Sequence, residues 1–434
     1  MHVRLLISLC LTLALCGCAG VAAPTPTLPP PTPIATIPAR TATPTPTPTR
    51  GPQPLLTTVR LWLPEELSPY GQRPGASVLA QQLAAFSEAY PELRVEVVVK
   101  KAHGRGGLLD FLRTARDVAP TVLPDLVVMD AADLETAAAA ELVQPLDELL
   151  SPATASNRFA FASTMGDMQG RVMGFVIGVG LQHGVYRPEL FSAPPISWTA
   201  VISAPSPFIF AAGGHERRVN EATLMQYLAA GGALTDDGGR PTLEREPLIS
   251  VFGFYSSCIT SRVISPTALL SLKDEDAVWA AFQAGEGALA VVPAGRYWLE
   301  ADRTLVAPVS IPTRDGQPFT IVTSGWAIAL VAQDPARQGL AMLLLDWLIA
   351  PDHSAQWTQA AGYLPSTQSA LQLWNVSDKE RAVLLALLDV AQPPPPPEAM
   401  ATSGQVLQEA LEALLRGRAT PRQAANLAIE SLGR

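Results

Sequence analysis

Leu126-Val127-Val128-Met129 is a run of four apolar residues, opened by Pro124-Asp125 and closed by Asp130. A strand with no polar side is buried on both faces, and that happens in parallel sheets covered by helices on each side. The flanking chain agrees. Leu55 to Leu63 (LLTTVRLWL) and Arg94 to Lys100 (RVEVVVK) carry the β-branched content and alternation of strands. Between them, Ser77 to Tyr90 sets Leu79, Leu83 and Phe86 on one helical face, and Pro91 ends the helix. Leu108 to Val118 reads as the next helix, Leu134 to Leu142 as an Ala-rich one, and Leu146 to Leu150 as a short one. The order strand-helix-strand-helix-strand predicts an α/β layer with right-handed crossovers.

Past Arg171 the pattern is less regular. VMGFVIGVGLQHGVY predicts a long strand interrupted by Gly174, Gly178 and Gly180, and Ile209 to Gly214 reads as a loop. ALAVVP, ending at Pro293, and TIVTSGWAIALV, ending at Val331, are further strands. Helices are expected over 221–230, 246–261, 274–284, 335–349, 379–391, 404–416 and 420–432, with Pro393 to Pro397 as a rigid spacer.

The first residues say where the chain works. Leu5 to Cys16 is apolar except for Ser8 and Thr12. It is too short for a membrane-crossing helix, which takes about 20 residues, and has the length of a secretory signal. Leu15-Cys16-Gly17-Cys18 resembles a bacterial lipobox, which implies diacylglyceryl transfer to the Cys18 thiol and removal of residues 1–17. Pro24 to Pro54 is dense in Pro and Thr, so it lacks both backbone donors and a core. At about 3.1 Å per residue such a tract holds a domain several nanometres off a membrane. Residues 18–54 are therefore expected to be a lipid anchor and stalk.

A net charge of −9 argues against nucleic acid as a partner, which calls for a basic face. Of 4 cysteines only Cys258 stays unmodified once the signal is cut and Cys18 is acylated, so no disulfide framework is possible. The 5 histidines are scattered, and no metal or other cofactor is expected. There is no Gly-x-Ser-x-Gly and no His-Glu-x-x-His, so a hydrolase is not expected.

The pieces, in order, resemble the extracellular solute-binding proteins of bacterial ABC importers, sugar-binding type, the group that includes maltose-binding protein. LAAFSEAYPELRVEVV, LPDLVVMDAADL, ELVQPLDELL, GFVIGVGLQHGVYRPELF, ISWTAV, VWAAFQAGEGALAVVPAGRYW, GWAIAL with the helices leading to GYLPS, and LRGRATPRQAANLAIESL carry the likeness. The resemblance implies an α/β, two-lobed periplasmic-binding-protein-like fold of type II, with a hinge of crossing strands and a ligand cleft between the lobes. Residues 55–174 with 294–340 are expected in lobe 1, and 175–293 with 341–434 in lobe 2. It further implies a monomer that closes on a carbohydrate or similar polar solute and docks on ABC permease subunits. The alternative is a degenerate binding protein with a sensory or scaffold role. The chain departs from its relatives in having Tyr186-Arg187 where Tyr-Asn is common, and glycines on the crossing strand where a polar side chain is common.

The candidate ligand-binding residues follow from strand ends and aromatics. Asp130 and Asp133 end the apolar strand and either accept solute hydroxyls or cap the next helix. Gln182 and His183 are the polar groups of the crossing strand. Arg296, Tyr297 and Trp298 follow a buried strand, where loops carry function. Ser324 and Trp326 flank Gly325 in another strand, Tyr363 sits in the Gly-Tyr-Leu-Pro turn, and Phe208 completes the set.

Overall fold

A computed structural model describes residues 57–204, 206–214 and 218–433. The expected signal, Cys18 and the stalk lie outside the described residues. Among the described residues ten strands form: β1 (Thr57–Pro64), β2 (Leu93–Lys100), β3 (Leu126–Asp130), β4 (Asp167–Met168), β5 (Arg171–Val172), β6 (Phe175–Tyr186), β7 (Phe208–Ile209), β8 (Leu289–Pro293), β9 (Ala307–Val309) and β10 (Val322–Leu330). The main sheet runs β2-β1-β3-β10-β6-β8-β7, with β9 also on β6. β1 is parallel to β2 and β3, as the apolar run predicted, and Leu126 to Met129 are at most 1% exposed. β10 is antiparallel to both β3 and β6.

β6 is too long for one lobe and serves two. Its first half pairs with β10 and its second with β8 and β9. The apolar clusters divide at the same place. Two cover the faces of the first sheet and draw on residues from Val59 to Leu181 and from Val322 to Ala391, with Ala294. The other draws on Val185 to Ile321 and Ala399 to Ala428. The chain thus passes between cores at residues 182–184, at 321–322 and between 391 and 399. Hydrogen bonds join these passages. Thr320 Oγ1 donates to the Gln182 carbonyl (3.1 Å). Gln392 N donates to the Thr320 carbonyl (3.1 Å) and Val322 N to that of Gln392 (2.8 Å).

The packing draws the boundaries elsewhere than the sequence reading did. Residues 341–391, expected in lobe 2, pack on the first core: Ala341, Met342 and Leu344 join β1 and β3, and Leu384 and Leu388 join the opposite face. β9, expected in lobe 1, pairs with the far half of β6. Amphipathic pattern tells a helix which face to bury but not against which sheet. Locally, Leu146–Leu150 is a turn rather than a helix, and Phe208–Ile209 is a strand rather than the edge of a loop. The helix Pro335–Ile349 stops because Ala350 precedes Pro351 and is forced to extended backbone (φ −51, ψ 138), and a second helix, Pro351–Ala361, starts at once.

Cys258 is fully buried and its thiol is pushed up to about 12 by burial, which makes it a core residue as expected. Among the described residues no helix is long and apolar enough to cross a membrane, and no three His, Cys, Asp or Glu side chains are grouped to hold a metal.

Candidate functional site

Strand carboxyl ends of both cores meet at the crossing, the position where open α/β sheets bind ligands. On the first wall β1 ends at Pro64 and leads into Glu65 and Glu66, while β3 ends at Asp130. Register sets Trp326 of β10 between Asp130 and Gly178 of β6. The glycines of the crossing strand have a steric reason. A Cβ on Gly178 would come 3.1 Å from the Trp357 ring and from Tyr363 Cβ, and one on Gly180 would come 2.5 Å from Ser324 Oγ. Their absence lets Tyr363 lie on the strand, stacked on Trp357 with ring centroids 5.7 Å apart at 22°.

This wall holds two unmet polar atoms. Trp326 is 7% exposed and its indole N–H makes no well-formed hydrogen bond, with only the Tyr363 hydroxyl beside it, and Glu66 Oε2 is unpartnered. Buried polar groups are nearly always bonded, so such atoms call for a ligand or water. Burial raises the Tyr363 hydroxyl above its usual range against the opposing effect of the Trp326 indole, and Glu66, Arg73 and Asp130 lie close enough to act on it. Asp130 does what the sequence left open as a cap: its Oδ1 accepts the Ala132 N–H (2.9 Å). Its Oδ2 faces His103 Nε2 at 3.5 Å, and Asp133 Oδ2 faces His103 Nδ1 at 3.3 Å. Burial raises the Asp130 carboxyl, opposed by the Ala132 bond and His103.

On the second wall Gln182, 5% exposed, pairs with Pro293 at the end of β8. Its Nε2 donates to Glu275 Oε1 (3.2 Å). Glu275 and Glu221 each open a helix, Glu275–Gln283 and Glu221–Ala229, and Glu275 lies near enough to act on the Glu221 carboxyl. Burial first, then the neighbouring Glu275 carboxyl, push Glu221 up to about 7. The sequence carried a sign of each helix start, Asn220-Glu221 and Asp274-Glu275, but none of their nearness.

The remaining expected residues are engaged within the protein. Successive strand side chains point to opposite sides, so His183 turns away from Gln182. It is fully buried, its Nδ1 bonds the Gly184 carbonyl (2.7 Å), and its ring meets Tyr297 edge-on at 5.6 Å. Arg296, Tyr297 and Trp298 are not in a loop but on the helix Ala294–Glu300. Tyr297 is 1% exposed and its hydroxyl donates to Glu380 Oε1 (3.1 Å). Trp298 packs on Trp374 with ring centroids 5.6 Å apart. Arg296 is held by Glu300 (2.5 Å) and Asp276. Phe208, 1% exposed, packs on Phe210 and Phe254 inside the second core and offers no face to a solute.

His183 is a stability element with a pH signature. Burial pushes it down from 6.5 to about 4, so the folded state keeps it neutral. A group with a lowered folded-state pKa loses its contribution as pH falls from its unfolded value toward the folded one when the charged form is the protonated one. The thermal midpoint is therefore expected to drop between pH 6.5 and 4. His183→Asn, which keeps a donor for Gly184, should flatten that limb in a pH series of melting curves.

Two α/β cores, a strand shared between them and a cleft at strand carboxyl ends define a two-lobed protein of the periplasmic-binding-protein class. The chain belongs to the family described as bacterial extracellular solute-binding protein, which it matches over residues 81–382. Its relatives are binding proteins, not enzymes. The fold is similar to that of an extracellular solute-binding protein family 1 member from Alicyclobacillus acidocaldarius (TM-score 0.66, 17% identity, 87% of this chain and 98% of that one). It is also similar to the sugar-binding protein MalE from Xanthomonas citri (TM-score 0.64, 18% identity, the same coverage of 87% and 98%). In sequence, 96 residues are 32% identical to the sn-glycerol-3-phosphate-binding periplasmic protein of Salmonella paratyphi A, a match spanning 20% of this chain and 22% of that relative.

Proposed function

We propose that this chain captures a carbohydrate or similar polyhydroxyl solute outside the cell membrane and delivers it to an ABC permease. In this reading Cys18 carries the lipid anchor, residues 19–54 are the stalk, and the chain works as a monomer. Lobe 1 is residues 57–181 with 322–391, and lobe 2 is 185–321 with 399–432. They close about the three joined passages, as hinged binding proteins do.

The observation that carries the reading is the first wall. An unpartnered donor (Trp326 Nε1), an unpartnered acceptor (Glu66 Oε2) and a Tyr363 ring backed by Trp357 stand together. A sugar supplies the matching groups, hydroxyls that both donate and accept, and C–H faces for the ring. The acidic groups Glu66, Asp130, Glu221 and Glu275 favour such a solute over a phosphate ester. Several solved relatives of this fold are named for maltose or maltodextrins, which agrees, whereas the sequence relative is named for glycerol 3-phosphate.

The test is a thermal-shift panel on the full chain with maltodextrins, monosaccharides, polyols, amino acids and glycerol 3-phosphate. A ligand at 100 times its Kd adds about 2.7 kcal/mol of stability. A shift with sugars or polyols is expected. Trp326→Phe should keep the fold, since an unmet buried N–H is a cost, yet weaken capture roughly tenfold, the worth of about one hydrogen bond. A response to glycerol 3-phosphate alone would overturn the polyhydroxyl class. No response to any compound would return the chain to the sensory or scaffold alternative.

A further inference from the structure

The third passage between the cores differs in chemistry from the other two. Residues 182–184 lie on β6 and 320–322 lead into β10, whereas the third reads Gln392-Pro393-Pro394-Pro395-Pro396-Pro397. A proline ring fixes φ at about −65°, and a residue that precedes proline is kept out of the helical region. Each of Pro393, Pro394, Pro395 and Pro396 is under both restrictions at once, which leaves it the extended polyproline backbone. Pro396 has that backbone, at φ −54 and ψ 138. At about 3.1 Å per residue the four prolines make a rod about 12 Å long.

Both ends of the rod are pinned. On the near side Ala391 is buried in the first core. Gln392 is bonded to the second passage, its N–H to the Thr320 carbonyl (3.1 Å) and its carbonyl to the Val322 N–H (2.8 Å). On the far side Pro397 opens a helix, and the Met400 N–H donates back to the Pro396 carbonyl (3.1 Å). Ala399 is buried in the other core. Just beyond it Ser403 Oγ donates to the Leu234 carbonyl (2.8 Å), and Gln408 Nε2 to the Ala212 carbonyl (2.9 Å). A spacer that only had to join two moving parts would need neither the stiffness nor the anchors, and a Gly/Ser chain would serve.

We propose that prolines 393–396 are a tie rod that confines the two lobes to one axis of closure. The rod keeps the separation of Gln392 and Pro397 constant, so lobe 2 swings about Gln392 but neither draws away from lobe 1 nor slides past it. The torsion changes that closing requires then fall on 182–184 and 320–322, which contain no proline. Closing orders one rotation instead of several, and that preorganisation favours capture. The inference rests on the two-lobe reading, and it is tested without a solute, so it stands or falls apart from the choice of ligand.

The full chain, free of solute, is spin-labelled at positions 88 and 430 through an unnatural amino acid rather than cysteine. Glu88, on the helix Ala76–Ala89 of the first core, and Glu430, on the helix Pro421–Leu432 of the second, are both exposed. Double electron–electron resonance reads the spread of distances between the lobes. Pro393→Gly, Pro394→Ser, Pro395→Gly and Pro396→Ser together keep the reach, since a flexible chain of four residues spans about 11 Å on average, and remove the stiffness. The spread is expected to widen roughly twofold in this variant, while amide exchange within β3 and within the helix Glu221–Ala229 stays as in wild type. An unchanged spread overturns the proposal. So does a wider spread accompanied by faster exchange throughout both cores, since the prolines would then only add to overall stability. If the fourfold variant does not fold, Pro394→Ala and Pro395→Ala decide. Each releases one φ and the residue before it and should widen the spread in the same direction; no change in either refutes the tie rod.

Discussion

Replacing Asp125 by alanine is expected to lower stability by about 3 kcal/mol and leave solute capture intact. The Asp125 side chain is 8% exposed and ties the start of β3 to β1 and to the helix Pro335–Ile349. It accepts the Arg60 backbone N–H of β1 (2.7 Å) and the Nε of Arg337 (2.9 Å), and bonds Arg337 Nη2 as well. Arg337 in turn donates to the Thr58 carbonyl (2.7 Å), so the helix Pro335–Ile349 is clamped to the start of β1. Arg337 is 37% exposed and can turn to water once its partner is gone. The Arg60 N–H cannot. That orphaned donor, together with the lost charge-assisted bonds, sets the magnitude. Asp125 lies at the opposite end of β3 from Asp130, so the cleft is untouched. Urea denaturation should show a lower midpoint with unchanged slope. A loss under 1 kcal/mol would mean the clamp is solvated and of little worth.

Tyr363→Ala is expected to weaken solute capture by about 2–3 kcal/mol, a loss of roughly 30- to 150-fold. The ring is stacked on Trp357 and lies over Gly178, so it cannot be replaced by rearrangement of the strand. Its hydroxyl stands beside the unpartnered Trp326 indole and within reach of Glu66 and Asp130. Tyr363→Phe separates the two contributions: it keeps the face and removes the hydroxyl, and should lose only about tenfold. Titration calorimetry with the best sugar from the panel measures both. Equal affinity in wild type and Tyr363→Ala would remove this wall from the solute site and leave Tyr363 as packing at a turn.

A residue's place at a strand end is legible in the sequence. Asp130 is legible because an apolar run stops there, and Trp326 because Gly325 interrupts a strand. Tyr363 was legible as a turn aromatic, although its stacking partner was not. Which side of an element faces a neighbour is not legible there. Gln182 and His183 are adjacent and equally polar, yet alternation sends one to the cleft wall and the other under Tyr297. Tyr297 and Trp298 looked like an aromatic loop, but Ala294–Glu300 continues as helix, burying Tyr297 and leaving Trp298 half-buried against Trp374.

The chain's own pattern determined the α/β class, the longer strands and helices, the stops at Pro91 and Pro351, and the burial of Leu126 to Met129. These depend on side-chain periodicity and backbone restriction, which act over a few residues and are written in the order of the chain. Only the tertiary structure decided that β6 serves two cores, that residues 341–391 return to the first, and that Gln182 reaches Glu275. Those outcomes depend on which apolar faces and helix tips come together across long stretches of chain. A hydrophobic face carries no label for its partner, so its choice is made by the packing of the whole.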